Sequence, residues 1–339
     1  GLYRELVSEG EDLDSLAKSI LETLAEPLEY DKIKVLLDVS IGIAVYPDDS
    51  NGMQELRSHA DQAYKTTLAS SENKISYFSN EYEERAKVRS YLTSYLNEAL
   101  ENKSLQFFYQ PIVKVSDRSF VKAEVLTRWF DEHLGEVSPA RFIPIAEKSS
   151  LINQLGLQLL ESTLKFSEEL SKSGKEVQLS VNVSPYEFMG ENFVRERNAL
   201  FEKYPLAKRE NIVFELTEGS LLSNKNLVQK RIEDFSKQGI GFAIDDFGTG
   251  YSSLSYLQEL RVDYVKIDKS FVDRIETESG LALCKAIVDL AHAISLQVIA
   301  EGVESESQLA LLNSIGCDYA QGYLFSKPVN QKAFVKLLS

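Results

Sequence analysis

The chain has 339 residues, 43% hydrophobic and 26% charged, which suits a globular protein of two domains with a sizeable core. A formal charge of −15 argues against a nucleic-acid groove, although a local basic pocket for a phosphorylated ligand stays open. Two cysteines (Cys284, Cys317) and three scattered histidines (His59, His133, His292) supply neither a disulfide framework nor a His-rich metal site, so any metal centre must rest on oxygen ligands.

Residues 1–80 read as a first unit. Leu13, Leu16, Ile20 and Leu24 recur at helical spacing, and Pro27 closes that helix. From Ile33 to Tyr46 the pattern is strand-like, with Val39, Ile41, Ile43 and Val45 alternating with small residues. Ala60 to Ala63 then lies on another helix. The run S-I-G-I-A-V-Y-P (Ser40 to Pro47), followed by A-D-Q-A, resembles the second half of a GGDEF (diguanylate cyclase) domain. The Gly-Gly-Asp/Glu-Glu-Phe turn that names that family is missing, and Leu68, Ser71 and Glu72 stand where the family has Lys, Gly and Arg. The resemblance therefore implies a partial, degenerate α+β remnant that synthesises nothing.

Residues 81–103 carry charged and apolar residues at helical spacing without Gly or Pro, which predicts a connecting helix. From 104 to 339 short apolar strands alternate with amphipathic segments. The predicted strands are Leu105 to Gln110, Phe120 to Thr127, Val177 to Val183, Ile212 to Thr217, Ile240 to Asp245, Val262 to Ile267, Gln297 to Ala300 and Tyr319 to Gly322. Eight strands with helical crossovers predict an α/β fold, a TIM-like (β/α)8 barrel. The gap between Gln110 and Phe120 is too short for a parallel crossover, so the first strand is expected to be antiparallel.

Function in such a barrel belongs at the C-terminal strand ends. There the sequence offers Glu124, Asn182, Glu215 with Glu218, Asp245 with Asp246, Lys266, Glu301 with Glu304, and Gln321. Parity supports the placement: Leu179, Val181 and Val183 alternate with Ser180, Asn182 and Ser184, so one face is apolar towards the helices and the other polar. The stretch F-A-I-D-D-F-G-T-G-Y-S-S-L (Phe242 to Leu254) reads as a strand, an acidic tip, a turn through Gly248 and Gly250, and a helix opened by Ser252 and Ser253. Burying so many carboxylates without compensation costs several kcal/mol per ion, and divalent cations held by hard oxygen ligands, Mg²⁺ or Mn²⁺, are the economical explanation.

Nine motifs in order make residues 90–337 resemble an EAL domain, the bacterial cyclic-di-GMP phosphodiesterase family. E-V-L-T-R-W (Glu124 to Trp129) stands for the motif E-A-L-x-R-W. With it come Q-P-I (Gln110 to Ile112), F-I-P-I-A-E, S-V-N-V-S, E-L-T-E, D-D-F-G-T-G-Y-S-S-L, V-K-I-D-K-S-F, A-E-G-V-E and Q-G-Y. The resemblance implies hydrolysis of cyclic-di-GMP to linear pGpG with two metal ions per site, Mg²⁺ or Mn²⁺, and inhibition by Ca²⁺. By the same resemblance Glu124, Asn182, Glu215 and Asp245 would bind one metal, with Asp245 bridging to a second that Asp246 also binds. Lys266 would position water or neutralise charge, Glu301 would act as base or second-metal support, and Glu218 would hold the loop after Asp246. Leu126, Arg128, Glu304, Gln321 and Tyr323 would contact substrate, and so would Gln110, although an antiparallel first strand leaves open which end of the barrel it faces. Val125 in place of Ala, and Lys148 and Ser150 in the loop after Phe142, are the departures.

The rival to the enzyme is an EAL-type receptor that binds the dinucleotide without cutting it; a hydrolase of another phosphoester is the third reading. The resemblance also implies a homodimer formed through the barrel. No stretch approaches 18 uninterrupted apolar residues, and neither an initiator Met nor a signal peptide is visible, so the chain is expected to be a cytoplasmic fragment without membrane contact, with sensory or membrane segments possible upstream.

Overall fold

The computed structural model describes residues 13–25, 28–30, 33–35, 38–69, 74–78, 80–222, 224–248 and 258–338. The chain divides into two units between Tyr95 and Leu96. The division falls within a single helix, Asn80–Glu101. No helix among the described residues is long and apolar enough to cross a membrane.

In the first unit, helix Leu13–Ala25 is followed by the antiparallel pair Leu28–Tyr30 and Ile33–Val35. Strand Ile41–Ile43 pairs in parallel with Ile75–Tyr77 across helix Met53–Ala69, a small βαβ arrangement. The strand-like run from Ile33 to Tyr46 is therefore not one strand: its two ends belong to different sheets. Pro27 and the tail Ser70 to Asn73 lie outside the described residues.

The second unit is a closed barrel. Its strands are β1 (Gln106–Lys114), β2 (Phe120–Asp131), β3 (Gln178–Asn182), β4 (Ile212–Thr217), β5 (Gly241–Phe247), β6 (Tyr264–Ile267), β7 (Gln297–Ala300) and β8 (Tyr319–Gln321). Each pairs with the next and β8 returns to β1. Strands β2 to β8 run parallel, whereas β1 is antiparallel to both neighbours, with Gln110 opposite Glu124 and Ile112 opposite Gln321. Residues 115–119, the whole connection from β1 to β2, leave room only for a turn. Both strands are longer than the apolar pattern indicates, because β2 continues into a hairpin with Gly135–Val137.

Alternation along the strands sorts two cores. Outward-facing Val181, Phe214, Phe242 and Val265 pack against Leu160, Phe235, Val288 and Leu312 of the surrounding helices. Phe188, Phe193, Phe214, Phe235 and Phe242 meet edge to face at centroid distances from 5.0 to 6.5 Å. Each buried ring contributes on the order of 2 to 3 kcal/mol by leaving water. Inside the barrel, Ile112, Val213, Ala243, Tyr264, Ile299 and Tyr319 form a separate plug. Lys122 closes this floor: its ammonium donates to Tyr264 Oη at 2.9 Å and lies 4.2 and 4.7 Å from the ring centres of Tyr264 and Tyr319. Burial pushes it down to about 8 although Asp263 favours its charge. Cys284 and Cys317 are both buried free thiols.

At the end of β8, Gly322 sits so close to Val303 that a Cβ would lie 2.0 Å from the Val303 carbonyl oxygen and 2.3 Å from its nitrogen. Both are backbone atoms, and Val303 is tied there by its N–H to Gln321 O and its carbonyl to Leu324 N–H, each at 3.0 Å. Gly322→Ala is therefore expected to cost about 2 kcal/mol by overpacking. That should lower the melting temperature by roughly 4 to 8 °C, read by thermal unfolding of the whole chain. Melting at the wild-type temperature would show that this crossing can relax.

Candidate active site

At the C-terminal ends of the parallel strands, charged side chains from β2, β4, β5 and β7 converge on one lysine from β6. Lys266 Nζ lies 2.6 Å from Glu215 Oε2, 2.7 Å from Glu301 Oε1, 3.2 Å from Asp245 Oδ1 and 3.5 Å from Glu124 Oε2. Its side chain is 1% exposed. The inward face of each strand supplies these groups: Val213 points to the plug below, and Glu215, two residues on, to the mouth above it.

One ammonium cannot neutralise four carboxylates, and the environment decides which keep their charge. Burial would raise Glu124, but Lys266 and the amides of Gln321 and Asn182, at 2.8 and 2.6 Å, outweigh it and hold the carboxyl below its ordinary value. Glu215 lacks those amides. Burial pushes it up to about 8, against Lys266 and with help from Glu124 and Asp245. Burial likewise takes Glu301 to about 7. Asp246 is raised by burial and by Asp245 beside it. For Lys266 burial works the other way, yet Glu124, Glu215, Glu301 and Asp245 together hold it well above its ordinary value.

The two adjacent aspartates reach the mouth together because β5 is irregular. Ile244 pairs with Val265 and Phe247 with Ile267, so Asp245 and Asp246 both oppose the single residue Lys266. Strict alternation would send neighbouring side chains to opposite faces. The bulge, with Asp246 in the left-handed region at φ 55°, removes that conflict. Carboxylate oxygens of Asp245, Asp246 and Glu301 consequently lie within 4.8 Å of one another. Glu215 Oε1 is buried without a hydrogen-bond partner. An all-oxygen set with surplus negative charge and an orphaned buried acceptor fits a hard divalent cation such as Mg²⁺ or Mn²⁺. Glu124 and Glu215 are not part of that close trio; Lys266 stands between them and it.

The remaining predicted residues divide into floor, wall and rim. Gln110 faces the mouth, since the antiparallel register sets the first half of β1 beside the last half of β2. It is buried, accepts from Gln321 Nε2 at 3.1 Å and donates to Ser326 O. Leu126 and Arg128 continue the Glu124 face of β2 and are half-buried, with the Arg128 guanidinium 6.0 Å from the Phe108 ring centre. Glu218 accepts the N–H of Gly248 at 3.1 Å. The loop beyond it, with Gly250, Ser252 and Ser253, lies outside the described residues. Glu304 and Tyr323 stay on the exposed rim and do not join the carboxylate cluster: Glu304 pairs with Lys269 at 2.8 Å, and Tyr323 is 58% exposed.

The motif reading passed over two features near Asn182. Ser184 Oγ donates to Glu147 Oε1 at 2.6 Å, and Glu187 forms a fully buried ion pair with Arg197. A local signal tied Ser184 to Glu187, because S-P-Y-E (Ser184 to Glu187) has the spacing of a capping box, which the structure contains. Nothing in the local pattern points from Glu187 to Arg197.

Comparison with known proteins agrees with this geometry. Residues 94–328 match the EAL domain family, and residues 4–74 match the diguanylate cyclase, GGDEF domain family. The bifunctional diguanylate cyclase/cyclic di-GMP phosphodiesterase MucR of Pseudomonas aeruginosa is 32% identical over 321 residues, 94% of this chain and 47% of that protein. The cyclic di-GMP phosphodiesterase PdeR of Escherichia coli is 35% identical over 329 residues, 95% of this chain and 49% of that protein. The chain thus spans about half the length of these relatives. Among solved structures, the PaMucR phosphodiesterase in complex with c-di-GMP superposes with a TM-score of 0.69 at 32% identity, covering 72% of this chain and 99% of that one. Barrel, converging carboxylates and sequence similarity agree: this chain belongs to the EAL domain family, with a short GGDEF region preceding the barrel in sequence.

Proposed function

We propose that the barrel is a metal-dependent phosphodiesterase that hydrolyses cyclic-di-GMP to linear pGpG. The observation that carries this reading is the cluster at the mouth, in which Glu124, Glu215, Asp245 and Glu301 surround Lys266 and Asp246 adds a further oxygen ligand. The names of the relatives, phosphodiesterases acting on this dinucleotide, support it.

Glu124, Asn182, Glu215 and Asp245 would hold one divalent cation, and Asp245, Asp246 and Glu301 a second. Bound there, two such ions supply a polarised phosphodiester and a water acidic enough to attack near neutral pH. The protein groups do the rest. Lys266 lies where it can orient the attacking water and offset charge developing on the phosphate. Glu301, raised to about 7, is suited to take the proton from that water. Water adds to phosphorus, one bridging P–O bond breaks, and the released ribose oxygen leaves with a proton. The Arg128 guanidinium would pair with a phosphate and Leu126 would pack beside it. Gln110 and Gln321 offer amide groups to the substrate, and Glu304 and Tyr323 line its approach. Glu218, by its bond to Gly248, would fix the start of the loop that follows the aspartates. A homodimer formed through the barrel completes the reading.

The deciding assay incubates the chain with cyclic-di-GMP and Mn²⁺ and follows pGpG by chromatography. Turnover is expected, with loss on chelation and inhibition by Ca²⁺, whose larger and looser coordination spoils the geometry. Glu124→Ala and Asp245→Ala should each lower kcat by more than about 100-fold. Tight binding of the dinucleotide without any pGpG would replace the enzyme with a receptor.

Metal binding should also show in stability. Glu215 and Glu301 have folded-state values of about 8 and about 7, above the ordinary 4.5, so the metal-free fold holds protons that the unfolded chain releases. Their contribution to stability is greatest below pH 4.5 and is lost as pH rises through 7 to 8. Because the ligands must be deprotonated to bind, Mn²⁺ should raise the melting temperature more at pH 8 than at pH 6. Differential scanning fluorimetry at the two pH values checks this, and an equal shift at both would contradict it.

A further inference from the structure

We propose that the buried ion pair of Glu187 and Arg197, acting through the turn at Ser184, is a positioning device that aims Asn182 at Glu124. The inference rests on the reading of the barrel mouth as a metal-dependent hydrolase site. Asn182 ends β3 and is exposed, so packing does not hold its side chain. Its aim, seen in the 2.6 Å bond from Nδ2 to Glu124 Oε1, depends on how the backbone leaves the strand.

That exit is short and each of its amides is accounted for. Val183 N–H donates to Glu215 O at 2.9 Å. Ser184 N–H donates to Glu187 Oε2 at 3.4 Å, and Pro185, which has no N–H, starts the next helix. Glu187 is thus the side-chain acceptor for the only turn amide between Asn182 and that helix that β4 does not bind. Its other oxygen, Oε1, accepts from Arg197 Nη2, and both side chains are about 2 to 3% exposed. Arg197 is fixed in turn, with its guanidinium 4.1 Å from the Phe193 ring centre. On the far side, Gly156 of helix Ile152–Lys172 makes the room: a Cβ there would lie 2.3 Å from Glu187 Oε1.

The energetics argue that this pair fixes geometry more than it adds net stability. Burial pushes Glu187 up to about 7 and Arg197 down, so desolvation takes back much of what their attraction provides. Well-packed apolar residues can replace such a pair at little cost in stability. They cannot supply an acceptor for Ser184 N–H, and an unmet amide two residues after Asn182 frees the turn that aims it. Loss of a group that orients a metal ligand typically weakens metal binding by about 10 to 100-fold.

The test compares the whole chain with Glu187→Gln and with the double variant Glu187→Met/Arg197→Met. Glutamine matches glutamate in size, but it keeps an oxygen at only one of the two positions, Oε2 towards Ser184 and Oε1 towards Arg197, and sets an NH₂ donor at the other. Three quantities are read: the melting temperature, the Mn²⁺ dissociation constant from electron paramagnetic resonance of the free ion, and the Asn182 side-chain amide resonance in the metal-free protein. Expected for both variants are a folded protein, a displaced or broadened Asn182 resonance, and a dissociation constant raised about tenfold. If the double variant fails to fold, Glu187→Gln decides by itself. An unchanged Asn182 resonance in the folded variants overturns the proposal, as does wild-type Mn²⁺ affinity. Failure of the wild-type chain to bind Mn²⁺ or cut cyclic-di-GMP would sink the hydrolase reading, while the Asn182 resonance would still decide the positioning role.

Discussion

Lys266 carries one positive charge into a space lined by Glu124, Glu215, Asp245 and Glu301, where each ion removed from water costs several kcal/mol. The rest of the mouth follows from that constraint. Strand β6 must bring the lysine up the barrel axis, and neighbouring strands must end at the same height for their carboxylates to reach it. The charge remains unbalanced even so. Glu124 stays ionised because two amides join the lysine, whereas Glu215 and Glu301 rise towards neutrality. A buried lysine outnumbered by carboxylates leaves a site whose donor set fits added cations, and the same shortage of positive charge makes its carboxyl groups sensitive near neutral pH.

The two ends of the barrel handle buried lysines in opposite ways. At the mouth, acids surround Lys266 and hold its proton. At the floor, Lys122 lies against Tyr264 and Tyr319, whose ring faces favour a cation without adding full negative charge. Burial therefore wins at the floor and acids win at the mouth. The apolar plug between them keeps the two environments apart.

Much of this was legible in the sequence, for reasons that can be named. Strict alternation in L-S-V-N-V-S told which residues of β3 face the helices, and the short gap between Gln110 and Phe120 required an antiparallel first strand. Polar residues recurring at successive strand ends located the mouth. What stayed hidden depends on long-range register or on partners far away in the chain. Whether Gln110 faced the mouth could not be settled until its pairing with Glu124 was known. The extension of β2 came from a hairpin partner of three residues, too short to show a period. Glu187 meets Arg197 from a different helix, and the depth of both is a tertiary fact. The strand-like run after Ile33 misled because alternation alone does not reveal a change of partner.

The irregular step in β5 gives the pair Asp245–Asp246 a meaning that composition does not convey. Phe242 and Ile244 face the helices, and so does Phe247, one residue out of phase. The strand therefore stores part of the site as a count of residues, an offset against β6. With one residue fewer between Ile244 and Phe247 the strand would alternate regularly, and a single aspartate would be left to face the mouth. In comparing relatives of this barrel, spacing across that step is as informative as the identity of the two acids.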